Sequence, residues 1–209
     1  MHIKNLSEMN MEDEMFDWNL ESLTIGDEVP KEISFDVFID GDFSKMSFND
    51  LRGKWVVVMF YPADFTFVCP TELAEMASLY SEFQKVGAEV VSVSTDTHFV
   101  HKAWHDASEA IKTITYPMAA DPSHMLSDLF GVLIPDEGVA LRGTFIISPD
   151  GIIKTIEIND DAIGRSAKET LRKLKAAKYV GEHPSNVCPA SWDEGDDTLT
   201  PGVDLVGKI

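Results

Sequence analysis

The chain of 209 residues holds two cysteines, and the first of them, Cys69, stands in a setting that activates thiols. It follows the apolar run Trp55–Phe60 and the segment Tyr61-Pro62-Ala63-Asp64-Phe65-Thr66-Phe67-Val68, and it precedes Pro70 and a helix-like run over 73–86. Proline suits the first helical position because it has no N–H to leave unpaired there. Cys69 is therefore predicted at the helix N-cap, where free N–H groups and the positive end of the helix dipole favour a thiolate over a thiol. The competing reading is a small buried hydrophobe, the commoner fate of a lone cysteine. Pro62, Thr66 and Cys69 form the pattern Pro-x-x-x-Thr-x-x-Cys, which sets a hydroxyl three residues ahead of the sulfur.

The elements that must hold this junction are legible as patterns. ISFDVFI over 33–39 alternates apolar and polar residues as a half-buried strand does, and Gly41 and Asp42 supply a turn after it. Residues 47–53 resemble one helical turn closed by Gly53, and Trp55–Phe60, apolar throughout, reads as a strand buried on both faces. Apolar residues at 73, 76, 79, 80, 83 and 86 predict an amphipathic helix ended by Gly87. A strand over 89–94, a helix over 98–110, a short strand over 118–122 and a helix over 123–130 follow. Runs 143–148 and 152–158 flank Pro149-Asp150-Gly151 and are predicted to pair as a hairpin, and 165–180 is the last helix. Strands alternating with helices predict right-handed crossovers and a mainly parallel sheet, with the hairpin added.

Three segments follow: an extension over 1–23, a core over 24–180 and an arm over 181–209. The extension mixes Met, Asn and acidic residues with Phe16, Trp18 and Leu20. It reads either as a mobile tail or as a short helix docking a neighbouring subunit. The arm is rich in Pro, Ser, Asn, Asp and Gly around Cys188 and Trp192, and its apolar end, 203–209, is suited to dock on a surface and release from it.

Composition excludes several functions. Asp and Glu number 36 against 17 Lys and Arg, a formal charge of -19, which repels phosphate backbones and anionic lipid surfaces. Nucleic acid is not an expected partner. No stretch approaches the roughly 18 apolar residues of a membrane span. Acidic residues from Glu8 to Asp17 interrupt any signal-like core, so a cytoplasmic location is expected. Two cysteines so far apart make neither a CxxC zinc half-site nor a small disulfide scaffold. In a reducing compartment a bond between them is catalytic rather than structural.

The run FYPADFTFVCPTEL resembles the peroxidatic motif of the peroxiredoxins, of the typical 2-Cys class and the alkyl hydroperoxide reductase kind. The likeness extends in order through VSVSTDTHFVHKAWH, LRGTFIISPDG, NVCPA and DLVGKI, and covers residues 24–209. It implies an α/β, thioredoxin-like fold with a central mixed sheet flanked by helices, in which Glu72 stands where CxxC would place its second cysteine. It implies a peroxidase that takes hydrogen peroxide and organic hydroperoxides and needs no bound cofactor or metal. Cys69 attacks, and Cys188 of a partner subunit resolves the sulfenic acid as a disulfide. Arg142 hydrogen-bonds sulfur and peroxide, Thr66 accepts from the peroxide while passing its proton toward the thiolate, and Pro62 shapes and dries the pocket. Glu72 and Arg165 match family positions that orient the guanidinium groups.

The resemblance further implies a homodimer, five of which form a decamer, and a reductant that is a flavoprotein disulfide reductase or thioredoxin, fed by a nicotinamide cofactor. Peroxide-sensitive members carry a Gly-Gly-Leu-Gly insertion and a C-terminal Tyr-Phe helix. Residues 107–122 hold no glycine run and 206–209 no aromatic pair, so resistance to over-oxidation is expected. An alternative function is a redox-regulated holdase or a peroxide-sensing relay. His98, His101 and His105 share one helix face and imitate a metal site; a solvated or subunit-facing polar stripe is the preferred reading.

Overall fold

The computed structural model describes residues 22–208. The expectations for Phe16, Trp18 and the rest of 1–21 lie outside the described residues.

Strands β1 (Ser34–Ile39), β2 (Asp42–Ser47), β3 (Trp55–Phe60), β4 (Ala88–Ser94), β5 (Met118–Ala120), β8 (Arg142–Ile147) and β9 (Ile153–Asn159) form one sheet in the order β2-β1-β5-β4-β3-β8-β9. Two-residue strands β6 (Leu133–Ile134) and β7 (Val139–Ala140) make a separate hairpin, too short to leave a periodic signal in the sequence. Helices α1 (Cys69–Lys85), α2 (His98–Ala107), α3 (Met125–Leu129) and α4 (Ala167–Glu182) complete the core.

β3 is buried at every residue because helices and loops cover both faces of the sheet. Val57 and Met59 face Leu73, Met76 and Phe83 of α1 and Leu174 of α4. Val56, Val58 and Phe60 face Phe130, Phe145 and the loops of the other side. Alternation along one strand thus feeds two apolar layers.

The sheet is the mixed one that the family resemblance implies, not the mainly parallel one expected from the alternation of strands and helices. Among the described residues only β3–β4 and β4–β5 run parallel. Both ends are hairpins, and β1 and β8 each enter antiparallel to the strands already in place. The β1–β2 turn is Asp40-Gly41, with φ of 52° and 82°, the pair of left-handed residues that matches the twist of a two-residue hairpin. β2 escapes sequence reading because it is a polar, largely exposed edge strand.

Boundaries moved for local reasons. α2 ends at Ala107, not 110, because Ser108 turns extended and redirects Ile111 and Ile114 into the core. α4 begins at Ala167 because the Ser166 hydroxyl accepts the Glu169 N–H, a Ser-x-x-Glu cap.

Candidate active site

Cys69 is the first residue of α1, with Pro70 after it and Val68 at the N-cap. The N-cap placement expected for Cys69 is off by one: Val68 already has helical dihedrals, φ -83° and ψ -40°. The sulfur consequently belongs to the first turn itself and is fully buried.

Arg142 opens β8, and the β3–β8 register pairs Met59 with Thr144. Continuing that register two places sets Arg142 level with Tyr61, where the loop to Cys69 begins. Arg142 Nη1 donates to Cys69 Sγ at 3.4 Å and to Glu72 Oε2 at 2.7 Å, while its Nε donates to the Asp161 carbonyl at 2.6 Å. Glu72 Oε1 accepts from the Arg165 backbone N–H at 2.7 Å and from its Nε at 2.9 Å. Arg165 Nη1 is anchored in turn by the Gly143 carbonyl at 2.8 Å and Thr144 Oγ1 at 3.1 Å. Gly143 is glycine because a Cβ there would lie 2.7 Å from Val132 Cγ1.

All three charged side chains are at most 4 % exposed. Two guanidinium charges against one carboxylate leave one positive charge unbalanced in a site closed to water, and a thiolate at Cys69 would neutralise it. Burial pushes the Glu72 carboxyl upward, but the hydrogen bonds and charge of Arg165, with the charge of Arg142, outweigh it and hold the carboxyl below its ordinary range. Burial likewise opposes the Arg142 charge, yet its bonds to Cys69 and Glu72 leave it raised overall.

Thr66 is half-buried, and its hydroxyl donates to the Ala63 carbonyl at 2.9 Å. Among the described residues no hydrogen bond joins it to Cys69, so the proton-passing geometry expected of it is not the one adopted here. Pro62 is half-buried in the same loop. Cys188 is not part of this cluster: it is half-buried beyond α4, its Sγ 4.0 Å from the Ala176 carbonyl, and both cysteines are free.

The loop carrying Pro62 and Thr66 is held by residues that sequence reasoning missed. Asp64 Oδ1 accepts from the Tyr61 hydroxyl at 2.7 Å, its Oδ2 lies 2.8 Å from His101 Nδ1, and its N–H donates to Asp96 Oδ2 at 2.8 Å. Burial, and then the Asp64 charge, push the Tyr61 phenol well above its ordinary range, so it remains a donor. His101 Nε2 lies 3.0 Å from the Ala119 carbonyl, so both ring nitrogens have a partner in the buried interior. Phe65 adopts a left-handed φ of 56°, a strain of about 1–2 kcal/mol, which turns its ring outward while Asp64 points in. No signal in the sequence marks Asp64, because polar loop residues are ordinarily solvated.

The solvated reading of the histidine stripe is corrected by the same contacts. His101 is fully buried, whereas His98 and His105 are about one-fifth exposed and pack edge-on against Phe43 and Phe38. Their shared helix face turns toward β1 and β5 rather than into solvent. Among the described residues no group of three His, Cys, Asp or Glu is placed to hold a metal ion, and no helix is long and apolar enough to cross a membrane.

A buried sulfur at a helix start, hydrogen-bonded to a guanidinium and set beyond the C-terminal end of an interior strand of a thioredoxin-like sheet, defines a protein built for thiol chemistry. A family model described as the AhpC/TSA family matches residues 25–156. Alkyl hydroperoxide reductase C of Pseudomonas aeruginosa is 55% identical over 172 residues, 82% of this chain and 92% of that protein. The protein of the same name from Staphylococcus aureus is 58% identical over 167 residues, covering 80% and 88%. Among solved structures, Enterococcus faecalis AhpC superposes with a TM-score of 0.77 at 50% identity, over 79% of this chain and 98% of that one. Reduced 2-Cys peroxiredoxin of Plasmodium vivax superposes with a TM-score of 0.82 at 31% identity, over 86% and 94%. The chain belongs to the AhpC/TSA family.

Proposed function

We propose that this protein reduces hydrogen peroxide and small organic hydroperoxides, with Cys69 as the attacking sulfur. It is a thiol-dependent peroxidase of the peroxiredoxin class. The observation that carries the reading is the 3.4 Å contact between Arg142 Nη1 and Cys69 Sγ inside a buried cluster with one positive charge in excess. The Cys69 thiolate attacks one peroxide oxygen; an S–O bond forms, the O–O bond breaks, and the departing oxygen leaves as water or alcohol after taking a proton. Arg142 stabilises the negative charge that develops on the departing oxygen. Thr66, its hydroxyl hydrogen engaged in a bond to the Ala63 carbonyl, presents free lone pairs to the hydroperoxide O–H. Pro62 closes the pocket on that side.

The Cys69 sulfenic acid then condenses with Cys188 of a second chain; an S–S bond forms, the S–O bond breaks and water leaves. An external dithiol, from a flavoprotein disulfide reductase or thioredoxin, reopens the bond by exchange and supplies the two electrons. In this reading the core, 24–180, does the chemistry, the arm, 181–209, brings the resolving thiol, and dimers assemble into a decamer in the cytoplasm. No observation favours the holdase or relay alternative.

One equivalent of hydroperoxide is expected to convert the reduced wild type to a covalent dimer on non-reducing electrophoresis, and Cys188→Ser to remove that band. With a recycling dithiol, Cys69→Ser is expected to abolish peroxide consumption. Equal consumption by wild type and Cys69→Ser would overturn the enzyme assignment, and an oxidised wild type that runs only as monomer would overturn the inter-chain pairing.

Over-oxidation is a separate test, since a sulfenic acid that meets a second peroxide becomes sulfinic acid instead. Residues 107–122 contribute a 3-10 turn, Ile111–Thr113, and no glycine insertion. Turnover is expected to persist at millimolar peroxide, on the order-of-magnitude competition between resolution and further oxidation. Mass spectrometry of Cys69 after turnover at graded peroxide checks it; abundant sulfinic acid just above saturating peroxide is the contrary outcome.

A further inference from the structure

Residues beyond α4 fold back on that helix instead of trailing from it. Val187 and Leu199 bridge antiparallel, with N–H to carbonyl bonds of 2.8 and 3.0 Å, so 187–199 is a closed loop. Asn186 Nδ2 closes it further by donating to Thr198 Oγ1 at 3.0 Å and to the Tyr179 hydroxyl at 3.3 Å. Trp192 is 3 % exposed, tilted against Tyr179 of α4 with ring centroids 5.2 Å apart, and its Nε1 donates to the Asp196 carbonyl at 3.1 Å. Inside this loop Cys188 lies against α4 at Ala176.

Two cations of α4 reach the loop. Lys175 Nζ meets Glu194 Oε2 at 2.9 Å, but Glu194 is 67 % exposed and such surface pairs contribute little. Arg172 is different. Its Nε and Nη2 grip both oxygens of Glu169 at 2.7 and 2.8 Å, which fixes the plane of the guanidinium, and its Nη1 donates to the Trp192 carbonyl at 2.6 Å. A planar fork locked on one edge by a carboxylate aims its remaining donor in one direction, which an ammonium cannot do.

We propose that Arg172 is the positioning residue for Cys188: its fork holds the loop on α4 with the sulfur turned inward, and release of the Trp192 carbonyl frees that sulfur for resolution. The proposal rests on the reading that Cys188 is the resolving thiol. Burial pushes the Cys188 thiol above its ordinary range while the charge of Arg172 works against that rise, so the docked sulfur is stored protonated. The charged and titratable groups around this contact are Glu169, Arg172, Lys175 and Tyr179 on α4, His183 just after it, Asp193, Glu194 and Asp196 on the loop, and Glu82 of α1 facing Lys175.

The test uses the full chain in a Cys69→Ser background, where Cys188 is the sole thiol, and follows its alkylation by iodoacetamide against pH. Arg172→Lys keeps the charge and loses the fork; Arg172→Met loses both. Both are expected to alkylate several-fold faster at pH 7, on the order of what release of a shielded sulfur gives, with the midpoint of the profile lowered. With Cys69 restored, both are expected to form the disulfide faster after one equivalent of peroxide. Wild-type profiles in both variants would overturn the proposal. So would a wild-type profile in Arg172→Lys beside slower alkylation in Arg172→Met, since charge alone would then be acting. Glu169→Gln, which unlocks the fork from outside the contact, is expected to move the profile in the same direction and decides the matter if an Arg172 variant does not fold. A wild type that forms no Cys69–Cys188 disulfide would instead remove the resolving assignment, and the alkylation profiles would still report whether Arg172 holds the loop.

Discussion

Arg142→Met is expected to slow the reaction of Cys69 with hydroperoxide by about 10²–10³-fold, the usual loss when one preorganised donor to a developing oxyanion is removed. Thiol ionisation cannot account for a loss of that size. For any thiol, lowering the pKa from about 8.5 to about 6 raises the thiolate fraction at pH 7 about 30-fold. Intrinsic nucleophilicity falls over the same interval and takes back roughly 10- to 18-fold. The net effect is a few-fold. On the proposed function Arg142 acts on the breaking O–O bond, and the geometry permits it, since one guanidinium touches Cys69 at 3.4 Å and is braced by Glu72 and Asp161. Single-turnover oxidation measured beside the pH dependence of Cys69 alkylation separates the two effects. A rate loss that tracked the ionisation shift alone would contradict this role.

Glu72→Gln is expected to lower stability by about 3–5 kcal/mol, because removing one partner from a buried ion cluster leaves the others uncompensated. Here two guanidinium groups share one carboxylate that is 2 % exposed, and a glutamine would turn an N–H donor toward donors. In a chain of this size the melting temperature should fall by roughly 6–20 °C. The pH dependence gives a second signature. The Glu72 carboxyl is held below its ordinary range in the folded protein, so its stabilisation is complete above the unfolded value of about 4.3 and is lost as pH drops through the lower folded value. Glutamine does not titrate. The difference in melting temperature between wild type and variant should be steady from about pH 5 to 8 and shrink below about pH 4. A variant that melts like wild type at neutral pH would show that the two arginines are satisfied elsewhere.

The local junction was legible because its signals are short-range. Apolar spacing of three and four over 73–86 needs only the helix period, the all-apolar Trp55–Phe60 only a buried strand, and Cys69-Pro70 only the chemistry of a first turn. Even there the N-cap fell one residue early, at Val68, whose side chain carries no capping signal. Arg142 and Arg165 were named on family likeness, not on pattern. Lone arginines far along the chain carry no mark of the carboxylate they will share.

By itself the sequence determined the order of the main strands and helices, the junction that carries Cys69, and the net acidic charge. Each follows from a period, a turn residue or a charge count that acts within a few residues or over the whole chain. Only the tertiary structure decided that β8 lies antiparallel beside β3, which is what carries Arg142 to Cys69 and Glu72. It also decided that His101 is buried against Asp64 and that the loop of Cys188 is clasped by Arg172. These contacts join residues far apart in sequence, and their partners are chosen by strand order, register and the exclusion of water from the packed interior, none of which a local pattern encodes.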